Sequence, residues 1–228
     1  GKLTVRRSDL HIQAGVARNL LRVALGGVSQ ALVPNISWIG LMRILAVYGS
    51  DAMAGYVIAM RIVVFALLPA FGLSTAAATL VGQNLGAGEP ERAERSVWIT
   101  GLCNMVFLGS VTIFFLFLAE PLVAIFTNDP EVVLTAVNCL RIVSYGYVFY
   151  AWELVVIQAF NGAGDTFTPT MINIFCFWLF QLPLAFILAQ TLEIGPSGVF
   201  WAIALSYSLS AVVGMVLFRR GHWKTRQI

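Results

Sequence analysis

The chain has 228 residues, of which 59% are hydrophobic and 11% charged, with a formal net charge of +3. Soluble domains are typically about 45 to 50% apolar and about 25% charged, so this composition excludes a water-soluble globular domain and points to an integral membrane protein. The small positive charge is poor evidence for a nucleic-acid partner, because the basic residues are split among three separate segments.

The chain opens on "GKLTVRRSDL", which has no apolar stretch of a cleavable signal. There is no initiator methionine and the first Met is Met42, so the sequence reads as a piece of something longer. Residues 1–25 read as a cytoplasmic, amphipathic lead-in, 26–218 as the transmembrane part and 219–228 as a basic cytoplasmic tail. Six apolar runs follow the lead-in, at about 28–48, 52–80, 97–118, 132–160, 169–190 and 197–217. Each can cross about 30 Å of hydrocarbon at about 1.5 Å per helical residue. None alternates with period two, which argues against a transmembrane barrel and for an all-α bundle of six spanning helices.

In the first run, Gln30, Asn35 and Ser37 can line a cavity or bind helix to helix. Arg43 lies near its end and can snorkel to the surface. The second run carries Arg61, placed deeper in the outer half, and leads into the polar stretch "GQNLGAGEPERAERS" at 82–96. Glycines ahead of a helix can cradle a phosphate, but Glu89, Glu91 and Glu94 crowd the place of an anion. A turn is the better reading, with Gly86 or Gly88 in the left-handed conformation that caps a helix. The fourth run carries Arg141 and closes on "AFNGAGDTFTPT", which repeats the pattern of Asn, Gly-Ala-Gly and an acid with Gly162 and Gly164. Both segments read as equivalent corners of a repeated hairpin, each followed by a proline that suits a helix start.

Glu153, in "SYGYVFYAWELVVIQAF", is the only carboxylate inside any run. Phe149, Tyr150 and Ile157 share its helical face. Hydrocarbon disfavours a charged carboxylate, the property needed by a proton carrier, so Glu153 is the candidate for ion coupling. Its alternative is a hydrogen bond to a neighbouring helix. Gln158 and Gln181 are further cavity candidates or interhelical bridges, and Trp38, Trp152, Trp178 and Phe149 can stack on a flat or cationic compound. Pro34, Pro69 and Pro183 should kink or loosen their helices.

Lys2, Arg6, Arg7, Arg18 and Arg22 precede the first run, Arg92 and Arg95 follow the second, and Arg219, Arg220, Lys224 and Arg226 follow the sixth. The opposite loops carry Asp51, Glu120, Asp129, Glu131 and Glu193 and no Lys or Arg. Both termini are therefore expected in the cytoplasm, in agreement with an even number of spans. Cys103, Cys139 and Cys176 are widely spaced inside runs and read as small buried residues rather than a disulfide framework. The two histidines, His11 and His222, lie near opposite termini, and no P-loop, nucleophile elbow or metal spacing occurs, which argues against an enzyme, a metal site or a bound cofactor.

"MRIVVFALLPAFGLSTAAATLVGQNLGAGEPERAERSV" closely resembles the eighth helix and following loop of the multidrug and toxic compound extrusion (MATE) transporters. "QAFNGAGDTFTPT" is similar to the corner after their tenth helix, and "LRVALGGVSQALVPNISWIGLMRI" to their seventh. The resemblance implies the C-terminal six-helix lobe of a two-lobe transporter that exchanges organic cations or other toxic compounds for H+ or Na+ in a bacterial-type inner membrane. The partner would be an N-terminal six-helix lobe supplying half of a central cavity. This chain departs from the family in having Gly26 where proline is frequent, and Pro34 and Asn35 where some branches place a carboxylate. The acid that some branches carry in the tenth helix falls at Tyr150, one turn from Glu153. A lipid-linked carrier flippase of the same superfamily, or a membrane remnant or assembly partner without transport, are the rival readings; Arg61 with Arg141 keeps the first in play.

The division of loop charges makes a topological prediction. Cysteines introduced at Gly88 and Gly164 should react with an impermeant thiol reagent only from the cytoplasm, and one at Asp129 only from outside; reaction at Gly88 from outside reverses the orientation.

Overall fold

The structure, a computed structural model, describes residues 14–225. Lys2, Arg6, Arg7 and Arg226, on which part of the charge reading rests, and His11 lie outside the described residues. All regular structure among the described residues is helical. Helix α1 runs over Ala14–Leu45 and continues as a 3₁₀ turn to Tyr48. It begins earlier than the apolar run does, taking in much of the lead-in placed at residues 1–25. Helices α2 (Ser50–Gly86) and α3 (Pro90–Ala124) follow, then α4 (Pro130–Tyr145) and α5 (Tyr147–Gly162). The last two are α6 (Phe167–Thr191) and α7 (Pro196–Arg219).

Five of these helices are long and apolar enough to cross a membrane, and the α4–α5 pair makes a sixth span if counted as one. Helix α2 packs on α3, α4 and α5, α5 packs on α3 and α7, and α1 joins the bundle mainly through α6. One apolar core gathers around Tyr56, Leu108, Phe115, Leu140 and Phe200. A second, at the end of the bundle that carries the glycine corners, holds Val81, Val97, Phe160, Phe218 and Trp223.

The fourth apolar run, expected as one helix, is bent by 61° between α4 and α5. The break falls at Gly146, where an added Cβ would lie 3.1 Å from the Ala204 carbonyl oxygen and 3.2 Å from its Cα. A side chain there would press on the α7 backbone, which would have to give by a few tenths of an ångström. Thr112 on α3 reaches the Ser144 carbonyl at 2.9 Å, satisfying backbone at the bend that hydrocarbon could not. The expected proline kinks are not where the chain breaks: α1 and α2 run on through Pro34 and Pro69. In α6 the helix widens to π geometry over Ile174–Gln181, directly before Pro183. Proline lacks an N–H and crowds the carbonyl one turn back, and a wider turn accommodates both.

The two glycine corners have the same hydrogen-bond pattern. Gly88 and Gly164 have φ of 75° and 74°. At the first, Glu89 N donates to Asn84 O at 2.8 Å and Gly88 N to Leu85 O at 3.0 Å. At the second, Asp165 N donates to Phe160 O at 2.9 Å and Gly164 N to Asn161 O at 3.0 Å. Both are Schellman caps, which satisfy carbonyls left over at a helix end. Gly86 and Gly162, the other two glycines of the corners, end their helices without a positive φ and differ from each other: Gly86 faces open space, whereas an added Cβ at Gly162 would lie 2.8 Å from Ala78 Cα.

Substitutions should separate these roles. Gly88→Val strains a left-handed residue and should cost about 1 kcal/mol or more. Gly162→Ala should push α2 from α5 and lower the thermal midpoint, while Gly86→Ala should stay within about 0.5 kcal/mol of the parent. Thermal unfolding of the purified full-length protein checks all three.

Candidate functional site

The bend in the fourth run creates space. A cavity of about 140 Å³ lies between α2, the α4–α5 junction and α7, with Met60, Leu67, Gly146, Tyr147, Tyr150 and Tyr207 among its walls. A smaller one of about 50 Å³ lies beyond Tyr207, beside Pro34, Trp38, Tyr56 and Gln181. Tyr147 is 2% exposed, and its hydroxyl finds no hydrogen-bond partner among the described residues. The Tyr150 and Tyr207 rings meet edge to face with centroids 4.4 Å apart.

Glu153 follows Tyr150 by one turn of α5, and Ser210 follows Tyr207 by one turn of α7. The Glu153 side chain is buried, at 7% exposure. Its carboxyl group faces Ser210, and Cys176 of α6 and both tyrosines lie within its electrostatic reach. No cation pairs with it among the described residues, unlike Glu91 and Glu94, which pair with Lys224. The other buried acid, Asp165, accepts from Thr168 N at 3.1 Å and Thr168 Oγ1 at 2.6 Å and so caps the start of α6.

The remaining candidates scatter. Gln181 bridges three helices: Ser37 Oγ of α1 donates to its Oε1 at 2.7 Å, and its Nε2 donates to Ser206 Oγ of α7 at 2.7 Å. It therefore holds helices together while touching the smaller cavity. Gln30 is half-buried, and its carbonyl accepts from Asn173 Nδ2 at 3.1 Å. Asn35 and Phe149 are exposed on the bundle surface, Asn35 bonding back to Ala31 O at 2.8 Å. Gln158 accepts from Asn161 Nδ2 at 3.1 Å, close to the second corner. Of the candidates, only Tyr150 adjoins Glu153. Arg43 and Arg61 are exposed and Arg141 half-buried, and none lines the larger cavity. Among the described residues no group of three His, Cys, Asp or Glu could hold a metal ion.

Sequence reasoning did not single out Tyr207, Ser210 or Gly146. A signal for Ser210 was present: "SYSLS" at 206–210 places Ser206 and Ser210 four apart, on one face of an otherwise apolar helix.

The MatE family model matches residues 27–187. The chain belongs to the MATE family. A probable multidrug resistance protein NorM of Thermotoga maritima is 29% identical, with 98% of this chain aligned to 50% of the relative. The NorM protein of Pseudomonas putida is 32% identical over 74% of this chain and 37% of its own length. The chain thus spans about half the length of the curated relatives it matches, and those relatives are named as probable multidrug resistance proteins. A MATE crystal structure in the bent conformation superposes with TM-score 0.87 at 20% identity, over 95% of this chain and 48% of the other. A ClbM transporter in complex with Rb+ superposes with TM-score 0.85 at 21% identity, again over 50% of its chain. One lobe of the MATE fold accounts for the described structure.

Gln181→Leu tests whether that residue is a bridge. It removes the bonds from Ser37 and to Ser206, which keep only their bonds to the Phe177 and Ile203 carbonyls, and should cost about 1 to 2 kcal/mol of stability, the scale of a lost buried hydrogen bond. Transport per folded molecule of the full-length protein should be unchanged; a selective loss of transport would assign Gln181 to the cavity.

Proposed function

We propose that this chain is the C-terminal lobe of a secondary antiporter that expels small organic, mainly cationic, toxic compounds in exchange for H+ or Na+. The lobe works with an N-terminal six-helix lobe in a bacterial inner membrane, both termini in the cytoplasm, and the two rock about the site to expose it alternately to each side. Glu153 supports the reading: it is a buried carboxyl group inside a span, with no cationic partner among the described residues and one helical turn from a cavity at a helix bend. An acid so placed can carry a proton or hold a monovalent cation and give it up when a cationic compound arrives. The tyrosines beside it offer hydroxyl groups and π faces to the same ions.

The flippase reading needs a cationic cavity. The walls of the space beside Glu153 carry no Lys or Arg, and Arg61 and Arg141, on which that reading rests, lie outside it.

Glu153→Gln keeps the shape and removes the titration. In the full-length transporter, substrate binding should lose its dependence on pH, and gradient-driven uptake into inverted vesicles should fall to near background. The comparison is made per folded molecule across about pH 5.5 to 8.5, a range that brackets a carboxylate perturbed by burial. Uptake at the parental rate throughout that range rules Glu153 out as the coupling site.

A further inference from the structure

Outside the Glu153 region, the most fully built feature is a cleft at the start of α3. It is open to the exterior and is lined by Glu91, Glu94, Arg95, Trp98, Ile99, Leu102 and Trp152. Its floor is a pair of indoles, Trp98 of α3 and Trp152 of α5, with centroids 5.4 Å apart. Gly101 makes the floor possible, because a side chain there would collide with the Trp152 ring. The Trp152 indole N–H points to Met105 Sδ at 3.4 Å. Below the floor the exposed Ile99 and Leu102 continue down an apolar helix that crosses the membrane. The cleft therefore begins at the edge of the hydrocarbon and runs into it.

The rim is charged and partly occupied by the chain itself. Trp223 is buried against Phe218, the rings stacked at 4.6 Å, and this packing brings Lys224 over the start of α3. Lys224 Nζ bonds Glu91 Oε1 at 2.9 Å and pairs with Glu94 Oε2. Those contacts, Glu94 first, hold the ammonium above the ordinary lysine range. Trp98 Nε1 donates to the other Glu94 oxygen at 3.2 Å. One lysine against two carboxylates leaves one negative charge. Against it stand two guanidinium groups: Arg95 on the rim, and Arg219, whose Cζ lies 5.1 Å from the centre of the Trp98 ring. The balance at the headgroup level is positive, and the carboxylates that would repel an anion are already engaged.

We propose that this cleft holds one anionic phospholipid, with its phosphodiester between Arg95 and Arg219 and an acyl chain laid over Trp98, Trp152, Ile99 and Leu102. Guanidinium groups donate paired hydrogen bonds to phosphate oxygens. Indoles favour the boundary between headgroup and hydrocarbon, where one edge is apolar and the other wet. A zwitterionic lipid brings an ammonium group as well, and Lys224 already holds the position beside Glu91 and Glu94 that such a group would seek.

Native mass spectrometry of the full-length protein, released from detergent with added phosphatidylglycerol, phosphatidylethanolamine or phosphatidylcholine, tests this. Phosphatidylglycerol should be retained in preference to the other two, and Arg95→Gln should reduce its retention about fivefold, the effect of one basic residue on an anionic headgroup. Leu102→Trp, which fills the apolar part, should reduce retention of all three lipids. Arg95→Lys should keep most of the preference, showing that loss in the Gln variant is not misfolding. Equal retention of the three headgroups by the parent, or an undiminished preference in Arg95→Gln, overturns the proposal. So does competition by soluble glycerol phosphate as strong as that by the lipid, because the site would then be a phosphate site without an acyl groove.

Discussion

Hydrocarbon offers no hydrogen-bond partner, and that constraint orders most of what the chain does with its polar atoms. Most polar side chains placed in the spans either bond back to their own helix, as Asn35 does, or turn to another. Trp178 Nε1 donates to Val33 O at 3.0 Å, Asn104 Nδ2 to Ala151 O at 3.1 Å, and Asn173 Nδ2 to Gln30 O at 3.1 Å. These bonds tie α1 to α6 and α3 to α5 at the levels where small residues let the backbones approach. The Ser37–Gln181–Ser206 chain is the longest such tie. It joins α1 to the rest of the bundle through the widened turns of α6. Against this background Glu153 is an exception: its carboxyl group is surrounded by a serine, a thiol and two tyrosines and by no opposite charge among the described residues.

Much of this was legible in the sequence because it follows from composition and local chemistry. Apolar runs longer than a bilayer is thick predict spanning helices with little ambiguity. Gly88 and Gly164 announce themselves through the repeated Asn and Gly-Ala-Gly pattern, since a helix that must stop and turn within a few residues needs a left-handed position. Glu153 stands out by the cost of an acid in that setting. Its neighbours did not, because contacts between α5 and α7 depend on how two distant helices are rotated about their axes, which no local pattern encodes. Gln30, Asn35, Phe149 and Gln158 show the same limit: each is cavity material by residue type, and which way each faces is set by the rotation of its helix and not by its local sequence. The bend at Gly146 was hidden for a further reason. Hydropathy records how long an apolar segment is and says nothing of its direction, and a glycine in a span more often serves close packing than a change of course.

The two ends of the bundle are built differently. At the corner end, Schellman caps, the Asp165 cap and the Trp223–Lys224 clasp fix the helix termini by short-range contacts. At the other end, turns at Gly49 and Asp129 are brief, and the space lies deeper, beside the bend.

Gly146 and Ala204 meet backbone to backbone, so α5 rests on α7 as a rod rests on a bearing, with no side chain to shear. Helix α5 has 16 residues, an arm of about 24 Å at about 1.5 Å per residue. A swing of about 10° about the bearing would carry its far end some 4 Å, somewhat less than the rise of one helical turn, and Glu153 about 2 Å. The same leverage acts in reverse. Whatever grips the far end, at the corner beside Gly162 and Ala78, has a mechanical advantage over the position of the carboxyl group, and small shifts there translate into smaller and finer ones at the buried acid.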